Sequence, residues 1–434
     1  MKIKPLTPEQ QVIRELSERI VKAQGPILIL DAIKWGDPIK KDFFKHKFKK
    51  LPAIDHNYYQ QHNPLSYDPN EKTSEFYSIE HDVRKNLGQF SAVGQIMQRM
   101  CREYIDVIEM LKNRGTKIFS KISQQLYGSS EDAFYANAPT LKDLANAICH
   151  TLGNIKDKTA TKEDERIYTA AQAAKILSAR LARYFKDSGT APKVVVSDSI
   201  IADAAAGAEA IRLRKNATFS KRMLKQLEVH EGWVHLGTTL NGKRQPICTF
   251  LSKGIPSSTT TQEGLAIIME IFSFASFPER VLRINNRVKA ISMAEEGANF
   301  IEIFNYYRET GYHEYESYAA AARIFRGSIP SGKPFTKDLS YTRGFVQIFN
   351  YLRLAIDQGF VDHIPLLFVG KTALEDLRLI VDLVEEGLVV KPKYVPPQFK
   401  DSAPLCAWSA YSLFLNKLDP DKLALDFKSL LRKE

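Results

Sequence analysis

The sequence predicts an α+β fold, in which a mainly helical chain carries a small sheet packed beside one helix of functional interest. Over most of the chain, apolar residues recur with the period of an amphipathic helix. A short central stretch, residues 193–215, and one later segment, residues 364–370, show the β-branched or apolar runs that are typical of strands. We find no internal repeat and no low-complexity tract.

The helical pattern begins near the N-terminus, at residues 7–23, where Thr7 is a suitable N-cap and Pro8 lies in the first turn. Residues 51–80 lack a helical period and are rich in Pro, Asn, Asp and Tyr, which predicts a long surface loop. The other predicted helices cover residues 90–113, 114–127, 141–155, 164–187, 221–235, 263–277, 280–295, 297–310, 313–326 and 337–358.

Three segments resemble strands. The first two are KVVVSDS (193–199) and AEAIRLRK (208–215), and the third is IPLLFVG (364–370). In the second segment, Ile211 and Leu213 alternate with two arginines, which predicts a half-buried strand with one face in solvent.

Composition describes an ordinary globular protein. With 434 residues, 44% of them hydrophobic, the chain can bury a substantial core. Its four cysteines show no CxxC spacing, which disfavours both a disulfide framework and a thiolate metal cage. The first residues lack the apolar core of a signal peptide, and no apolar run approaches the length of a membrane span. We therefore expect a cytoplasmic protein that does not enter the membrane.

The net charge of +11 favours anionic partners, either acidic peptides or nucleic acid. The densest basic run, residues 40–50, interleaves lysines with phenylalanines. We interpret it as a solvated helix whose Phe43, Phe44 and Phe48 pack inward. The absence of a helix-turn-helix or zinc-finger pattern disfavours nucleic acid as the partner. The sequence leaves the oligomeric state open.

The most informative segment reads VHEGWVH. In the HExxH motif, two His four residues apart share a helical face and bind zinc, and the Glu between them activates a water molecule. Here His230 and His235 are five apart, with Glu231 after the first. Five residues turn a regular helix about 140° beyond a full circle, so the imidazoles would face apart. A π-turn corrects this angle, and Gly232 and Gly237 would ease the distortion.

A catalytic zinc needs a third protein ligand, and the segment TQEGLA supplies a candidate in Glu263. We expect Glu263 at the start of an apolar helix, where Gly264 and Ala266 would let that helix approach the His-bearing one closely. On its own, Glu263 would be interpreted as a first-turn carboxylate that the helix dipole favours.

The combination of HEGWVH and QEGLA resembles the QEGLA-motif proteins, bacterial relatives of the microtubule-associated tyrosine carboxypeptidases. The resemblance extends from about residue 80 to the C-terminus. It implies a metallopeptidase with a zincin-like active-site helix and an HExxxH zinc motif. The eukaryotic relatives remove a C-terminal tyrosine from an acidic tubulin tail, but nothing in this sequence transfers that substrate to the chain.

The resemblance also implies roles for individual residues. His230, His235 and Glu263 become ligands of Zn²⁺, and Glu231 becomes the general base. The residue pattern itself changes at Ser188, which predicts a mostly helical region, 1–187, followed by a metallopeptidase catalytic domain, 188–434, with a single continuous unit as the alternative.

A carboxypeptidase also needs a cation for the terminal carboxylate, for which Arg326, Lys337 and Arg343 are candidates. Tyr341 or His313 could donate a hydrogen bond to the developing oxyanion. Helix-capping or core roles are the alternatives for all five residues.

The predicted function is zinc-dependent hydrolysis of a peptide or protein substrate near its C-terminus. The strand around residues 211–215 could bind an extended peptide, and its arginines would favour an acidic one. The alternative is a regulatory protein, binding nucleic acid or protein, in which the zinc site is structural or degenerate.

Overall fold

The computed structural model describes residues 5–186, 192–198, 203–207, 210–428 and 430. It confirms the predicted α+β class, since the chain is mainly helical with a few short strands. The helices are α1 (Pro8–Gln24), α2 (Ile29–Ala32), α3 (Asp37–Lys45), α4 (His56–His62), α5 (Pro69–Leu87), α6 (Ala92–Lys112), α7 (Lys117–Tyr127), α8 (Leu141–Gly153), α9 (Ala170–Tyr184) and α10 (Lys221–Leu227).

A π-helix, Glu228–Leu236, continues directly from α10 and passes into α11 (Gly237–Lys243). The remaining helices are α12 (Pro256–Phe272), α13 (Pro278–Glu295), α14 (Phe300–Glu309), α15 (Glu314–Phe325), α16 (Leu339–Asp357), α17 (Leu377–Glu385), α18 (Pro397–Lys400), α19 (Ala403–Leu415) and α20 (Pro420–Asp426). Thus the predicted helix periods are confirmed from α6 to α16, with ends that differ by several residues.

The strands form two small sheets within the described residues. They are β1 (Tyr168–Thr169), β2 (Lys193–Ser197), β3 (Ala204–Ala206), β4 (Ala210–Arg214) and β5 (Thr218–Phe219). β1 pairs antiparallel with β5, and the three-stranded sheet has the order β2-β4-β3, with β2 parallel and β3 antiparallel to β4. Ile211 and Leu213 are buried and Arg212 is exposed, as the alternating pattern predicts.

The sheet position of β4 corrects one expectation. Because β2 and β3 occupy both sides of β4, its backbone cannot add an extended peptide as an edge strand would. The strand that lies at the sheet edge and contacts the π-helix is β3. Its three alanines carry no β-branched signal, which explains why the sequence did not indicate it.

Two further predictions are wrong. Residues 51–80 are not a long loop, since they contain α4 and the first part of α5. Their Asp and Pro residues are helix-start signals: Asp55 and Asp68 accept hydrogen bonds as N-caps, and Pro69 occupies the first turn. The predicted strand 364–370 lies mostly in a 3₁₀-helix, Val361–Phe368, because a short apolar run fits either structure equally well.

Buried apolar side chains of the described residues form three clusters. The largest draws on both halves of the chain, from Ile13 to Leu405. A second includes Phe43, against which Phe44 and Phe48 pack as predicted, although α3 ends at Lys45. The third packs α9 and the three-stranded sheet against α10 and the end of the π-helix.

The predicted division at 187/188 falls at residues outside the described part of the chain, and it stays a prediction. No helix in the described part combines the length and hydrophobicity that a membrane span requires. The four cysteines are all free, as their spacing indicated.

A close approach of two helix backbones fixes the position of α12. The Cβ of an alanine at Gly264 would lie 2.3 Å from the backbone of Gly344 on α16, and one at Gly344 would lie 2.1 Å from the carbonyl oxygen of Thr260. Gly264 therefore allows α12 to contact α16, rather than the His-bearing helix as the sequence suggested. This contact anchors the helix that carries Glu263.

We expect Gly264→Ala to destabilise the fold by about 1–3 kcal/mol or more, because neither backbone can move away without disturbing a packed helix pair. Urea denaturation measures the loss. Gly153→Ala is the matched control, since a Cβ there meets no atom within 4 Å and alanine favours a helix. Equal stabilities of the two variants would contradict the packing argument.

Candidate metal centre

The structure brings His230, His235 and Glu263 together. The Oε2 atom of Glu263 lies 3.3 Å from the Nε2 of His230 and 3.4 Å from the Nε2 of His235. Potential ligand atoms of the three residues all lie within 4.8 Å of one another. The imidazole rings are nearly perpendicular, at 87°, with centroids 4.8 Å apart.

The π-helix explains how a five-residue spacing allows this convergence. Its hydrogen bonds run from residue i to i+5, so residues five apart lie on the same side of the helix. The predicted π-turn is thus confirmed, and it extends over Glu228–Leu236. Gly232 lies outside the left-handed region, so its extra conformational freedom is not what permits the turn. A Cβ there would instead lie 2.4 Å from Leu181 on α9.

Glu263 reaches the two histidines from the middle of α12. This corrects the expectation that it starts a helix, because α12 begins at Pro256 and its Ser- and Thr-rich first turns lack an apolar period. Its Oε2 is buried and accepts no hydrogen bond from the described residues. An unsatisfied carboxylate oxygen is costly in a protein interior, and a cation facing both Nε2 atoms would satisfy it. The donor set therefore fits a metal ion.

A second carboxylate on α12 orients His230. The Oε1 of Glu270 lies 2.7 Å from the Nδ1 of His230, which therefore donates to it, so that Nε2 is the ring nitrogen available to a metal ion. Glu270 is fully buried and also accepts from Arg280 at 3.0 Å and from Gln226 at 2.9 Å.

Burial and charge oppose each other in this network. Burial raises the pKa of Glu270, but Arg280 and His230 outweigh it and hold the pKa at about 2. Burial lowers the pKa of His230, but the carboxylates of Glu263 and Glu270 raise it to about 9. The pKa of Glu263 lies well below its usual range despite burial, because His230 and His235 stabilise its charge.

Glu231 is partly buried and follows His230 directly. Its charge helps to raise the pKa of His230 and of Lys371, so it lies close to the three converging residues.

Five cationic side chains, here called the cationic wall, lie beside His230, His235 and Glu263. They are Arg280, Arg287, Arg323, Arg326 and Lys337, all partly or fully buried. Its described carboxylate partners are Glu263, Glu270 and Asp338, so cations outnumber carboxylates.

Three predicted substrate-site residues belong to this part of the structure. Lys337 places its Nζ 4.0 Å from Oε1 of Glu263. The ring of Tyr341 stacks on that of His230, with centroids 6.2 Å apart. Arg326 is buried, its Nε has no hydrogen-bond partner among the described residues, and burial lowers its pKa to about 10.

Two other candidates lie elsewhere. Arg343 pairs with Asp132 at 3.1 Å and contacts the carbonyl of Tyr127, which removes it from the candidate carboxylate anchors. It is two residues beyond Tyr341 on α16, so its side chain leaves the helix on another face. His313 is exposed at the N-cap of α15, and no described contact links it to the converging residues.

Four further residues at the centre were not predicted from the sequence: Gln262, Glu270, Arg280 and Lys371. Glu270 could have been found, because it lies seven residues after Glu263, which is two helical turns on the same face. Arg280 and Lys371 gave no local signal, since they reach the site from other elements.

The fold and this centre define a helical protein with an HxxxxH pair, an adjacent Glu, and a carboxylate from a second helix as the third candidate ligand. The model of the microtubule-associated tyrosine carboxypeptidase family matches residues 41–417. The chain therefore belongs to that family, whose description indicates a carboxypeptidase enzyme. A search of curated proteins finds no match to this chain.

Removing the carboxylate of Glu270 should be strongly destabilising. Glu270→Ala leaves the guanidinium of Arg280 buried without this partner, which we expect to lower the free energy of unfolding by about 3–5 kcal/mol. Urea denaturation with a chelator present excludes any contribution from metal. In the control, Glu279→Ala removes an exposed partner of Arg283 and should change stability by less than about 1 kcal/mol. Similar losses would show that the Glu270 pair is not effectively buried.

Proposed function

We propose that this protein is a zinc-dependent carboxypeptidase that hydrolyses a peptide bond near the C-terminus of a peptide or protein. The observation that carries the proposal is the convergence of two imidazole Nε2 atoms on an otherwise unsatisfied, buried carboxylate oxygen of Glu263. Two His and one Glu form the ligand set of catalytic zinc sites, which keep one further position open. The membership of the carboxypeptidase family supports the same reaction.

In this proposal His230, His235 and Glu263 hold Zn²⁺. The ion supplies Lewis acidity, which makes a water molecule more acidic and polarises the substrate carbonyl. Glu231 accepts the proton of the attacking water and delivers it to the leaving amine. Tyr341 donates a hydrogen bond to the carbonyl oxygen as negative charge develops there. Burial raises the pKa of Tyr341, so its phenol keeps the proton it donates.

The excess of cations beside the centre supports an exopeptidase rather than an endopeptidase. A peptide with a free C-terminus carries a carboxylate that an internal peptide bond lacks, and a partly desolvated arginine binds it strongly. Arg326 is the best placed anchor, because it is buried and its Nε has no described hydrogen-bond partner. Lys337 is the second. The same charge favours acidic residues near the cleaved bond.

Glu231→Gln separates catalysis from metal binding. We expect it to retain one equivalent of zinc and to lose at least 100-fold in kcat, because the amide cannot accept the proton, in line with the roughly 10²–10⁴-fold contribution of general bases. Metal content by mass spectrometry and peptide hydrolysis measure the two effects. Glu263→Ala is the complementary variant and should lose the zinc. Undiminished function of Glu231→Gln would favour a binding protein over an enzyme.

Arg326→Met should raise KM for peptides with a free C-terminus by about 10–100-fold, the equivalent of one charge-assisted hydrogen bond, while kcat changes little. Peptides with amidated C-termini should be poor substrates of the wild-type protein and should not distinguish the variant from it. Arg343→Met is the control, because that residue pairs with Asp132 instead. Equal cleavage of free and amidated peptides by the wild-type protein would rule out recognition of a terminal carboxylate.

A further inference from the structure

The ammonium group of Lys371 lies against three neutral oxygen atoms. Its Nζ donates to the backbone carbonyl of His235 at 2.8 Å, to the hydroxyl of Thr238 at 3.0 Å and to the side-chain oxygen of Gln262 at 3.0 Å. No carboxylate of the described residues forms an ion pair with it. Burial lowers its pKa to about 7, although Glu263 and Glu231 raise it. A partly buried lysine without an ionic partner requires an explanation.

The three acceptors belong to the two segments that form the candidate metal centre. The carbonyl of His235 and the hydroxyl of Thr238 lie at the end of the π-helix and the start of α11. Gln262 immediately precedes Glu263 on α12. A single amino group therefore connects the segment that carries both histidines with the segment that carries the glutamate.

Hydrogen bonds also hold the backbone around Lys371 in place. Its backbone N–H donates to the carbonyl of Leu251 at 2.7 Å. The side chain of Asn241 on α11 donates to the carbonyl of Phe368 at 2.8 Å, just before Lys371 in the chain. From α12, the amide of Gln262 lies 3.4 Å from the carbonyl of Gly370. The segment that carries Lys371 is therefore hydrogen-bonded to α11 and to α12, the same two helices that contribute acceptors to its ammonium group.

The contacts of Lys371 with His235, Thr238 and Gln262, here called the clamp, also explain the first residue of the QEGLA segment. Gln262 is buried, and its side-chain oxygen accepts from Thr238 at 2.7 Å as well as from Lys371. Glu263 accounts for the second residue as a candidate ligand and Gly264 for the third as a packing contact. Gln262 has neither role, and its side-chain hydrogen bonds to described residues connect α12 to α11 and to the segment that carries Lys371.

We propose that Lys371, together with Gln262, is a positioning residue that holds His235 and Glu263 at the separation a metal ion requires. The inference rests on the proposed function, because it concerns the affinity of that same centre. A π-helix is an uncommon conformation that tertiary contacts must maintain, and the carbonyl of His235 also accepts from Thr239 at 2.8 Å. Removal of groups that orient metal ligands typically weakens metal binding by about 10–100-fold.

The test compares Lys371→Met with Lys72→Met. Methionine keeps most of the side-chain length and removes the three donors. Lys72 is a matched control: its side chain is 15% exposed, and it pairs with Glu75 on α5, which does not contribute to the centre. Competition with a chromophoric chelator gives the Kd for Zn²⁺, and cobalt substitution reports ligand geometry through its visible spectrum. Urea denaturation of the metal-free proteins reports global stability separately.

We expect Lys371→Met to raise the Kd for Zn²⁺ by about 10–100-fold and to alter the cobalt spectrum, while Lys72→Met changes neither. Wild-type affinity and an unaltered spectrum in Lys371→Met would overturn the clamp and leave the proposed function standing. If Lys371→Met does not fold, Gln262→Met provides the same test, because it removes the acceptor and leaves the lysine in place.

A metal-free measurement distinguishes the clamp from the proposed function. If the wild-type protein binds no zinc, the proposed function fails, and hydrogen exchange then tests the clamp alone. Faster exchange in residues 228–240 of metal-free Lys371→Met, but not of Lys72→Met, would support a clamp on the π-helix. Unchanged exchange there would overturn it.

Discussion

The π-helix Glu228–Leu236 is the constraint on which the rest of this structure depends. His230 and His235 are five residues apart, so a regular helix would direct their rings about 140° apart. Only the wider turn lets both imidazoles face Glu263. Such a turn is rarely stable alone, and here its neighbours hold it: Leu181 occupies the space beside Gly232, and hydroxyl and ammonium groups satisfy the carbonyl of His235. The geometry of the centre is therefore a property of the tertiary structure.

α12 provides the complementary half of the centre. Glu263 and Glu270 are seven residues apart, so they lie on one face, two turns from each other. One carboxylate faces both Nε2 atoms, and the other accepts from the Nδ1 of His230. The two carboxylates therefore flank the same imidazole, one at each ring nitrogen. On another face, Gly264 packs against Gly344, which prevents α12 from shifting along α16.

Much of this arrangement could be predicted because it depends on the local periodicity and spacing of residues in the sequence. Amphipathic periods identified most of the long helices, although not the start of α5. The five-residue spacing of the two histidines required a π-turn if both were to face one metal ion. The errors arose where one residue type serves two purposes. Asp55 and Asp68 are N-caps, and Pro69 lies in the first turn of a helix. Because Asp and Pro are also common in loops, their number in this segment wrongly indicated a loop. The positions of Arg343 and His313 depended on which helix face meets the centre, and the spacing of candidate residues does not contain that information.

The cations beside the centre differ in whether a carboxylate compensates their charge. Arg280, Glu270 and His230 form a buried chain whose charges compensate one another, so this part of the wall has a structural role. Arg323 similarly pairs with Asp338. Arg326 has no such ion pair among the described residues, and the positive charges of Arg323 and Arg287 lower its pKa further. A buried cation repelled by its neighbours is stabilised by any anion that arrives, and a bound metal ion would increase that demand. The terminal carboxylate of a peptide substrate supplies the negative charge that compensates Arg326. For this reason the excess of cations beside the centre favours a carboxypeptidase.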